Sequence, residues 1–336
     1  MIDRFVIYTG LISLLIAAWS ALATGIVTKI LHHRAILDRP NDRSSHSVPT
    51  PRGGGWGLML ALLPAWTWAV WRAGRLHDPV ELLLLGGAAA LIAVSWIDDR
   101  RNLSAAPRFL TQIAAVGLVV AMLPADLSLS DGLLPPILDR LIAGIAWLWF
   151  VNLFNFMDGI DGIAGGSAAA MGFGVMLVSL RYGPSELDAF RGAMITAAGV
   201  GFLRWNWHPA KVFMGDVGSI PLGYLLGYEL IRLAMDRGQV FALIIPLYYL
   251  TDATITLVRR GLRGERVWRA HREHFYQRSV QLGRSHPRTA KTAIAVQLAL
   301  AIFAWFAALF GSWWLIPSIL LVGLLLRWMS RPPRPA

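Results

Sequence analysis

The feature that most restricts this chain is a series of apolar runs, each about as long as the 20 residues a helix needs to cross a bilayer core. They recur from end to end: Phe5–Leu31, Gly54–Trp71, Val80–Ile97, Phe109–Pro124, Leu138–Phe154, Gly162–Leu180, Ala189–Leu203, Ser219–Ala234, Gln239–Val258, Thr292–Gly311 and Trp313–Met329. A single buried helix of a soluble protein can be apolar all round, but eleven in series within 336 residues have no soluble core to hide in. Hydrocarbon cannot satisfy open backbone groups, so each run is expected to be a helix. The expected fold is an all-α polytopic integral membrane protein of about 11 transmembrane helices (10–11), forming one domain over residues 1–336. Only 15% of residues are charged, against about 25% in soluble domains, which leaves little for a separate soluble part. The first run follows a weakly basic start, Met1-Ile-Asp-Arg4, and is long, so it reads as a span and not as a cleaved signal.

A net charge of +11 would suggest nucleic acid if the basic residues were spread over one surface. They are not. With the first loop between spans placed in the cytoplasm, 23 of the 31 Lys and Arg fall on that side and 8 on the other. This is the positive-inside bias, and it predicts an N-terminus outside and a C-terminus in the cytoplasm. The expected setting is the bilayer of a bacterial inner (cytoplasmic) membrane, with no nucleic-acid partner and a homodimer as an assembly open to it. With no cysteine in the chain, disulfides, thiolate metal sites and thiol nucleophiles are excluded.

The outward loops are short connectors such as "RAGRLHDP", whereas five inward segments are rich in polar groups. These are "HHRAILDRPNDRSSHSVPTPRGGG" (32–55), "DDRRNLSAAPR" (98–108), "NFMDGIDG" (155–162), "RWNWHPAKVFMGDVGS" (204–219) and the long basic loop 259–291. All five share one face under an orientation derived from Lys and Arg alone, so the cytoplasmic mouth is where chemistry is expected. Asp98 and Asp99 close the third span, Asp158 and Asp161 lie between the fifth and sixth, and Asp216 opens the eighth. One such Asp is as well read as a helix cap; Asp161 and Asp216 each precede a helix. Five on one face, beside Arg100, Arg101 and Arg108, fit better with a substrate or ion path. Asp158 and Asp161 are three apart, which on a helix gives them a common face. Clustered carboxylates with few histidines suit a hard cation such as Mg²⁺, held by one or two carboxylates together with substrate phosphate.

"PRGGG" (51–55) and "GDVGS" (215–219) each precede a helix, where backbone N–H groups can meet phosphate. For the first, a loop end with close helix packing is the better reading; the second gains weight from Asp216. In "RAHREHFYQR", His271 and His274 alternate with arginines, which repel a zinc ion but fork onto diphosphate oxygens. A basic helix lying on anionic lipid is the competing reading of this loop. Trp205 and Trp207 read as interfacial belt residues, while Phe213 beside "MGD" could stack on a base.

In order along nearly the whole chain, "HSVPTPRGGG", "DDR..LSA..R", "NLFNFMDGIDG", "NWHPAKVFMGDVGS" and a His/Arg loop resemble the polyprenyl-phosphate N-acetylhexosamine-1-phosphate transferases. That superfamily includes undecaprenyl-phosphate GlcNAc-1-phosphate transferases and phospho-N-acetylmuramoyl-pentapeptide transferase. The resemblance implies transfer of a sugar phosphate from a UDP-HexNAc to undecaprenyl phosphate, with Mg²⁺ (or Mn²⁺ in its place) and release of UMP. It implies catalytic roles for Asp98, Asp99, Asp158 and Asp161, and metal binding by Asp216 with Asp158. His46, Arg52, Arg108, Asn152, Asn155, Asn206, Phe213, His271, Arg272 and His274 are the implied substrate-binding residues, with Asn206 and Phe213 at uracil. "AHREH" departs from the family's histidine-rich motif, being neither an unbroken triple nor "HIHH", so the sugar is the open point. "SSHSVPTPRGGG" with "AHREHFYQR" looks most like the branch that initiates O-antigen or similar polysaccharides. Two alternatives stand beside this reading. One is the peptidoglycan-precursor enzyme; the other is a transporter, which would carry its carboxylates near the midplane in two repeated halves.

Overall fold

The computed structural model of the protein describes residues 2–38, 48–101, 103–182, 186–267 and 271–333. Helices occupy every apolar run: α1 (Ile2–His33), α2 (Gly55–Arg72), α3 (Pro79–Arg101), α4 (Ala105–Met122), α5 (Pro136–Phe156), α6 (Ile163–Tyr182), α7 (Glu186–Asn206) and α8 (Asp216–Arg237). Then follow α9 (Gln239–Ile244), α10 (Leu247–Leu262), α11 (Phe275–Gln281), α12 (His286–Phe310) and, after a 3₁₀ turn over Ser312–Trp314, α13 (Leu315–Met329). Among the described residues seven helical segments are long and apolar enough to cross a membrane: those of α1, α3, α4, α5, α6, α12 and the 3₁₀–α13 pair. α7 and α8 are as long, but they carry more charge, including Arg191, Asp216 and Glu229.

Three expectations change. The run Gln239–Val258 is not one helix: it breaks at Ile245–Pro246 into α9 and α10, because a proline cannot continue the hydrogen-bond ladder. The long loop 259–291 is largely ordered: α10 reaches into it, α11 lies inside it, and α12 has begun by His286. The fold also contains a short antiparallel ribbon, Leu37–Asp38 (β1) with Thr50–Pro51 (β2), which leads the chain back to the start of α2.

α8 is the central post. It packs on α2, α3, α5 and α6 and is buried from Asp216 to Ile231. Gly223 and Gly227 on this helix leave room for Phe154 and Trp147 of α5; the Trp147 ring stacks on Tyr224 at 4.9 Å and its N–H donates to the Tyr224 carbonyl at 2.9 Å. Around the post, α1 and α2 pack with α7, α6 with α7 and α12, and α3 with α4. Leu11, Leu14, Leu15 and Leu22 of α1 point away from the bundle, as lipid-facing residues should.

The two ends of the bundle are both polar, in different ways. At one end, Arg191 of α7 is wholly buried against Glu81 of α3 (2.5 Å), Asp188 (3.3 Å) and Glu229 of α8 (3.4 Å). Its guanidinium also lies over Trp66 of α2, 4.9 Å from the ring centre. A charge this deep is tolerated only when paired, and here the pairing ties α3, α7 and α8 together, with α2 added through the Trp66 ring. The other end gathers the end of α3, the starts of α2, α4 and α8, and the α5–α6 link.

Candidate active site

At that second end two arginines organise the carboxylates. Arg52, just after β2, reaches Asp99 through Nε at 3.0 Å and Asp216 through Nη2 at 3.0 Å. Arg108, in the first turn of α4, reaches Asp98 at 2.5 Å and the other oxygen of Asp216 at 3.1 Å. Asp216 is thus held by two guanidiniums from separate segments, and the adjacent pair Asp98–Asp99 is divided between them. Asp98 also accepts the Leu103 N–H at 2.7 Å, which folds the α3–α4 link back over it.

Asp99 has a second task. Its Oδ2 accepts the Val217 N–H at 3.2 Å, so it meets one of the orphan donors at the start of α8. Gly215 makes this approach feasible: its φ is +73°, and a Cβ there would lie 2.9 Å from Asp99 Oδ2. Asp216 is therefore the first residue of α8 and not its cap. Asp99 Oδ1 is buried without a hydrogen bond and meets only the Arg52 charge.

Asp158 and Asp161 do not share a helical face. α5 ends at Phe156 and α6 begins at Ile163, so both stand on a non-helical link that turns them apart. Asp158 faces the arginine site. Burial, then the neighbouring Asp216, Asp99 and Asp161 carboxylates, push its carboxyl well above the usual range against the pull of Arg52. Asp161 faces the α7–α8 loop, where its Oδ2 accepts from His208 Nδ1 at 2.6 Å and from the Ala210 N–H at 3.2 Å. Burial raises the Asp161 carboxyl, and the neighbouring His286 and His208 imidazoles outweigh it, leaving its pKa below the ordinary value.

The remaining expected residues fall as follows. Asn155 accepts from Ser219 Oγ of α8 at 2.6 Å, beside the arginine site. Asn206 is buried and braces the α7–α8 loop, accepting from the Gly162 N–H at 3.1 Å and donating to the Val212 carbonyl at 3.0 Å. Phe213 is fixed by its backbone, its N–H on the Pro51 carbonyl and its carbonyl accepting from Gly53 and Gly54. Those glycine N–H groups are consequently spent inside the protein, so "GGG" serves the packing of α2 against this loop. Asn152 lies deeper in α5, its amide donating to Gln112 of α4 at 2.9 Å and to the Leu148 carbonyl at 2.8 Å. His46 lies outside the described residues.

His271, Arg272 and His274 precede α11 and are not helical, yet the two imidazoles still meet, 4.7 Å between centres. His274 is buried between Phe156 and Tyr276, and burial together with His274 and Arg260 lowers the His271 pKa to about 4. Asp252 of α10 anchors this segment by accepting the Phe275 and Tyr276 N–H groups at 2.9 and 3.3 Å, and the Tyr276 hydroxyl donates to the Phe156 carbonyl at 2.9 Å. The loop is thereby docked on the α5–α6 link, within the same mouth. Arg272 is half-buried there, and its carbonyl accepts from Gln281 at 2.7 Å. Trp205 is no free belt residue, since its N–H is tied to the Ala21 carbonyl of α1 at 2.7 Å.

Sequence reasoning missed Asp252, Ser219, His208 and His286. Asp252 carried a signal, a lone carboxylate inside an apolar run. His286 carried none, because only the fold returns it to Asp161.

Four carboxyl groups (Asp98, Asp99, Asp158 and Asp216) gather around two guanidiniums (Arg52 and Arg108), with oxygen donors only. That is the donor chemistry a hard divalent cation takes. On the flank of the bundle, a cavity of about 590 Å³ runs between α5, α8 and the α9–α10 break. It is lined by apolar groups such as Trp147, Trp149, Phe150, Leu230, Leu243 and Pro246, with Trp149 and Leu243 exposed along its edge.

Residues 82–234 match the profile of glycosyl transferase family 4. Over 283 residues, 80% of this chain and 77% of the relative, the sequence is 28% identical to the "Probable undecaprenyl-phosphate N-acetylglucosaminyl 1-phosphate transferase" of Bacillus subtilis. It is 28% identical to a decaprenyl-phosphate N-acetylglucosaminephosphotransferase of Mycobacterium tuberculosis, covering 89% of this chain and 81% of that one. A phospho-N-acetylmuramoyl-pentapeptide-transferase of Deinococcus radiodurans is 31% identical over 241 residues, 66% of this chain and 73% of the relative.

Proposed function

The chain belongs to glycosyl transferase family 4, and from that premise we propose that it transfers a HexNAc-1-phosphate from a UDP-sugar to undecaprenyl phosphate. The products are undecaprenyl-diphosphate-sugar and UMP, and the setting is the start of O-antigen or similar surface-polysaccharide synthesis at the cytoplasmic face of the inner membrane. One observation carries the reading: Asp216 is gripped by Arg52 and Arg108 together, with Asp98, Asp99 and Asp158 around them, at one end of a membrane bundle.

Both substrates are anions, so their approach requires positive charge and fixed positions more than covalent help from the protein. Arg52 and Arg108 are each about one-third exposed (38% and 31% of the side chain), so they can exchange Asp216 for phosphate oxygens. Asp216 and Asp158 are the residues that would hold Mg²⁺, which supplies charge neutralisation on the diphosphate when bound. A lipid-phosphate oxygen attacks the sugar-bearing phosphorus, a new P–O bond forms, and the P–O bond to UMP breaks. Asp99, whose Oδ1 has no hydrogen bond, accepts the proton when the lipid phosphate arrives as its monoanion. Asp98 keeps Arg108 in place during the step. Asn206 and Phe213 present the uracil side of the mouth, while His271, Arg272 and His274 close the sugar side. The apolar flank cavity is the place for a part of the polyprenyl chain beyond its phosphate end.

The test uses purified protein in detergent with undecaprenyl phosphate and Mg²⁺. It offers UDP-GlcNAc, 6-deoxy donors such as UDP-FucNAc and UDP-QuiNAc, and UDP-MurNAc-pentapeptide, and follows UMP and the lipid product by mass. Lipid-dependent UMP from one of the simple donors is the expected result. Turnover of the pentapeptide donor alone would move the protein to the peptidoglycan branch, and no UMP from any donor would end the reading.

A further inference from the structure

Asp161 faces away from the arginine site, so its surroundings call for their own explanation. Its carboxylate is nearly buried, 7% exposed, where three segments distant in sequence meet. Oδ2 accepts from His208 and the Ala210 N–H of the α7–α8 loop. Oδ1 faces Nδ1 of His286, at 3.5 Å, from the first turn of α12. That nitrogen is buried and has no hydrogen-bond partner. The two imidazole rings lie 5.4 Å apart. A second contact between the same elements sits beside them, with Lys291 of α12 placed 6.0 Å from the centre of the Trp207 ring.

The α7–α8 loop has two sides. Its far side is held by backbone hydrogen bonds between Phe213 or Met214 and residues 51–55. Its near side rests on the α5–α6 link, through Asn206 on Gly162 and through His208 and Ala210 on Asp161. A bridging carboxylate orients its partners only when its own rotation is stopped. Oδ2 is fully engaged, and the Oδ1 side is closed by His286.

From this geometry we propose that His286 is a positioning residue: it stops Asp161 and so sets the α7–α8 loop, with Asn206 and Phe213, for the nucleotide of the donor. The inference rests on the functional reading above and assigns it a residue outside every recognised motif. The ligating atoms of Asp161, His208 and His286 all lie within 4.8 Å of one another, a grouping that also raises the question of a metal ion. The hydrogen bonds argue for a clasp. Oδ2 already takes a 2.6 Å bond and a backbone N–H, and an ion bound at about 2.0–2.2 Å would have to displace them.

The experiment compares wild type, His286→Ala and His286→Asn as full-length protein in detergent. It measures UDP affinity, steady-state constants for each substrate, and the Tm with and without Zn²⁺. Asn carries its amide nitrogen where Nδ1 of His lies, so it can restore a polar contact to Asp161 Oδ1. Losing the polar contact that closes the Oδ1 side of Asp161 is expected to weaken UDP binding and raise the donor KM about tenfold in His286→Ala. The lipid KM and kcat stay at wild-type level, and His286→Asn recovers most of the affinity. Unchanged UDP affinity in His286→Ala overturns the proposal. So does an equal loss in both variants with a matching fall in Tm, which marks a merely structural role. Zn²⁺ raising the Tm of wild type but not of His286→Ala overturns it in favour of a metal centre. A wild type that binds UDP yet releases no UMP would count against the functional reading alone, because the affinity comparison does not depend on turnover.

Discussion

Arg191→Met tests whether the buried ion cluster does what its geometry implies. The arginine is fully buried and faces Glu81 and Glu229, which are themselves 0% and 1% exposed. Removing it takes the ion pair from Glu229 and leaves Glu81 with the more distant Arg75 at 3.8 Å, and breaking a buried pair from one side costs about 3–5 kcal/mol. At about 2 °C per kcal/mol for a large domain, the Tm should fall by roughly 6–10 °C. The 15 tryptophans supply the signal for a fluorescence melt in detergent. The companion variant Arg191→Met/Glu81→Gln/Glu229→Gln removes the stranded charge and should recover at least half of the loss, since apolar or neutral replacements of a whole buried pair are often close to neutral. Turnover at 20 °C should stay near wild type, because Glu229 lies 13 residues along α8 from Asp216, or about 20 Å at 1.5 Å per residue. A single variant that melts with wild type, or a triple variant worse than the single one, would refute the reasoning.

Two further outcomes follow from the site. Asp99→Asn and Asp216→Asn keep side-chain shape and should leave the Tm within a few degrees while lowering turnover by about 10³-fold or more; wild-type-like UMP release in either removes the assigned mechanism. His271, with a pKa of about 4 in the folded protein against 6.5 when exposed, binds fewer protons folded than unfolded between those values. Stability from this group is therefore complete above pH 6.5 and is lost as the pH falls toward 4. Melts from pH 7 to 4.5 should show the Tm declining in wild type and declining less in His271→Gln, and parallel curves would show that the imidazole is not held neutral.

The membrane bundle was legible because hydropathy is a local property: every apolar run became helical, one of them broken at Pro246, and alternate crossings bring Asp98, Asp99, Asp158, Asp216, Arg52 and Arg108 to one end. What spacing does not carry is which charge meets which. Asp158 and Asp161, three apart, implied a shared face, but the chain leaves helix at Phe156 and re-enters at Ile163, so one carboxylate joins the arginine site and the other joins two histidines. Arg52 and Asp216 are 164 residues apart, and their contact depends on β2 and the α7–α8 loop bonding through Pro51 and Phe213. The same holds at the opposite end, where "RAGRLHDP" reads as a plain connector while Arg75 within it approaches Glu81, the partner of a buried Arg191. A charge inside an apolar run states a debt of pairing, and its creditor is set by helix packing. Glu81, Arg191, Glu229 and Asp252 all lie inside apolar runs, so the demand is written in the sequence while its answer is not.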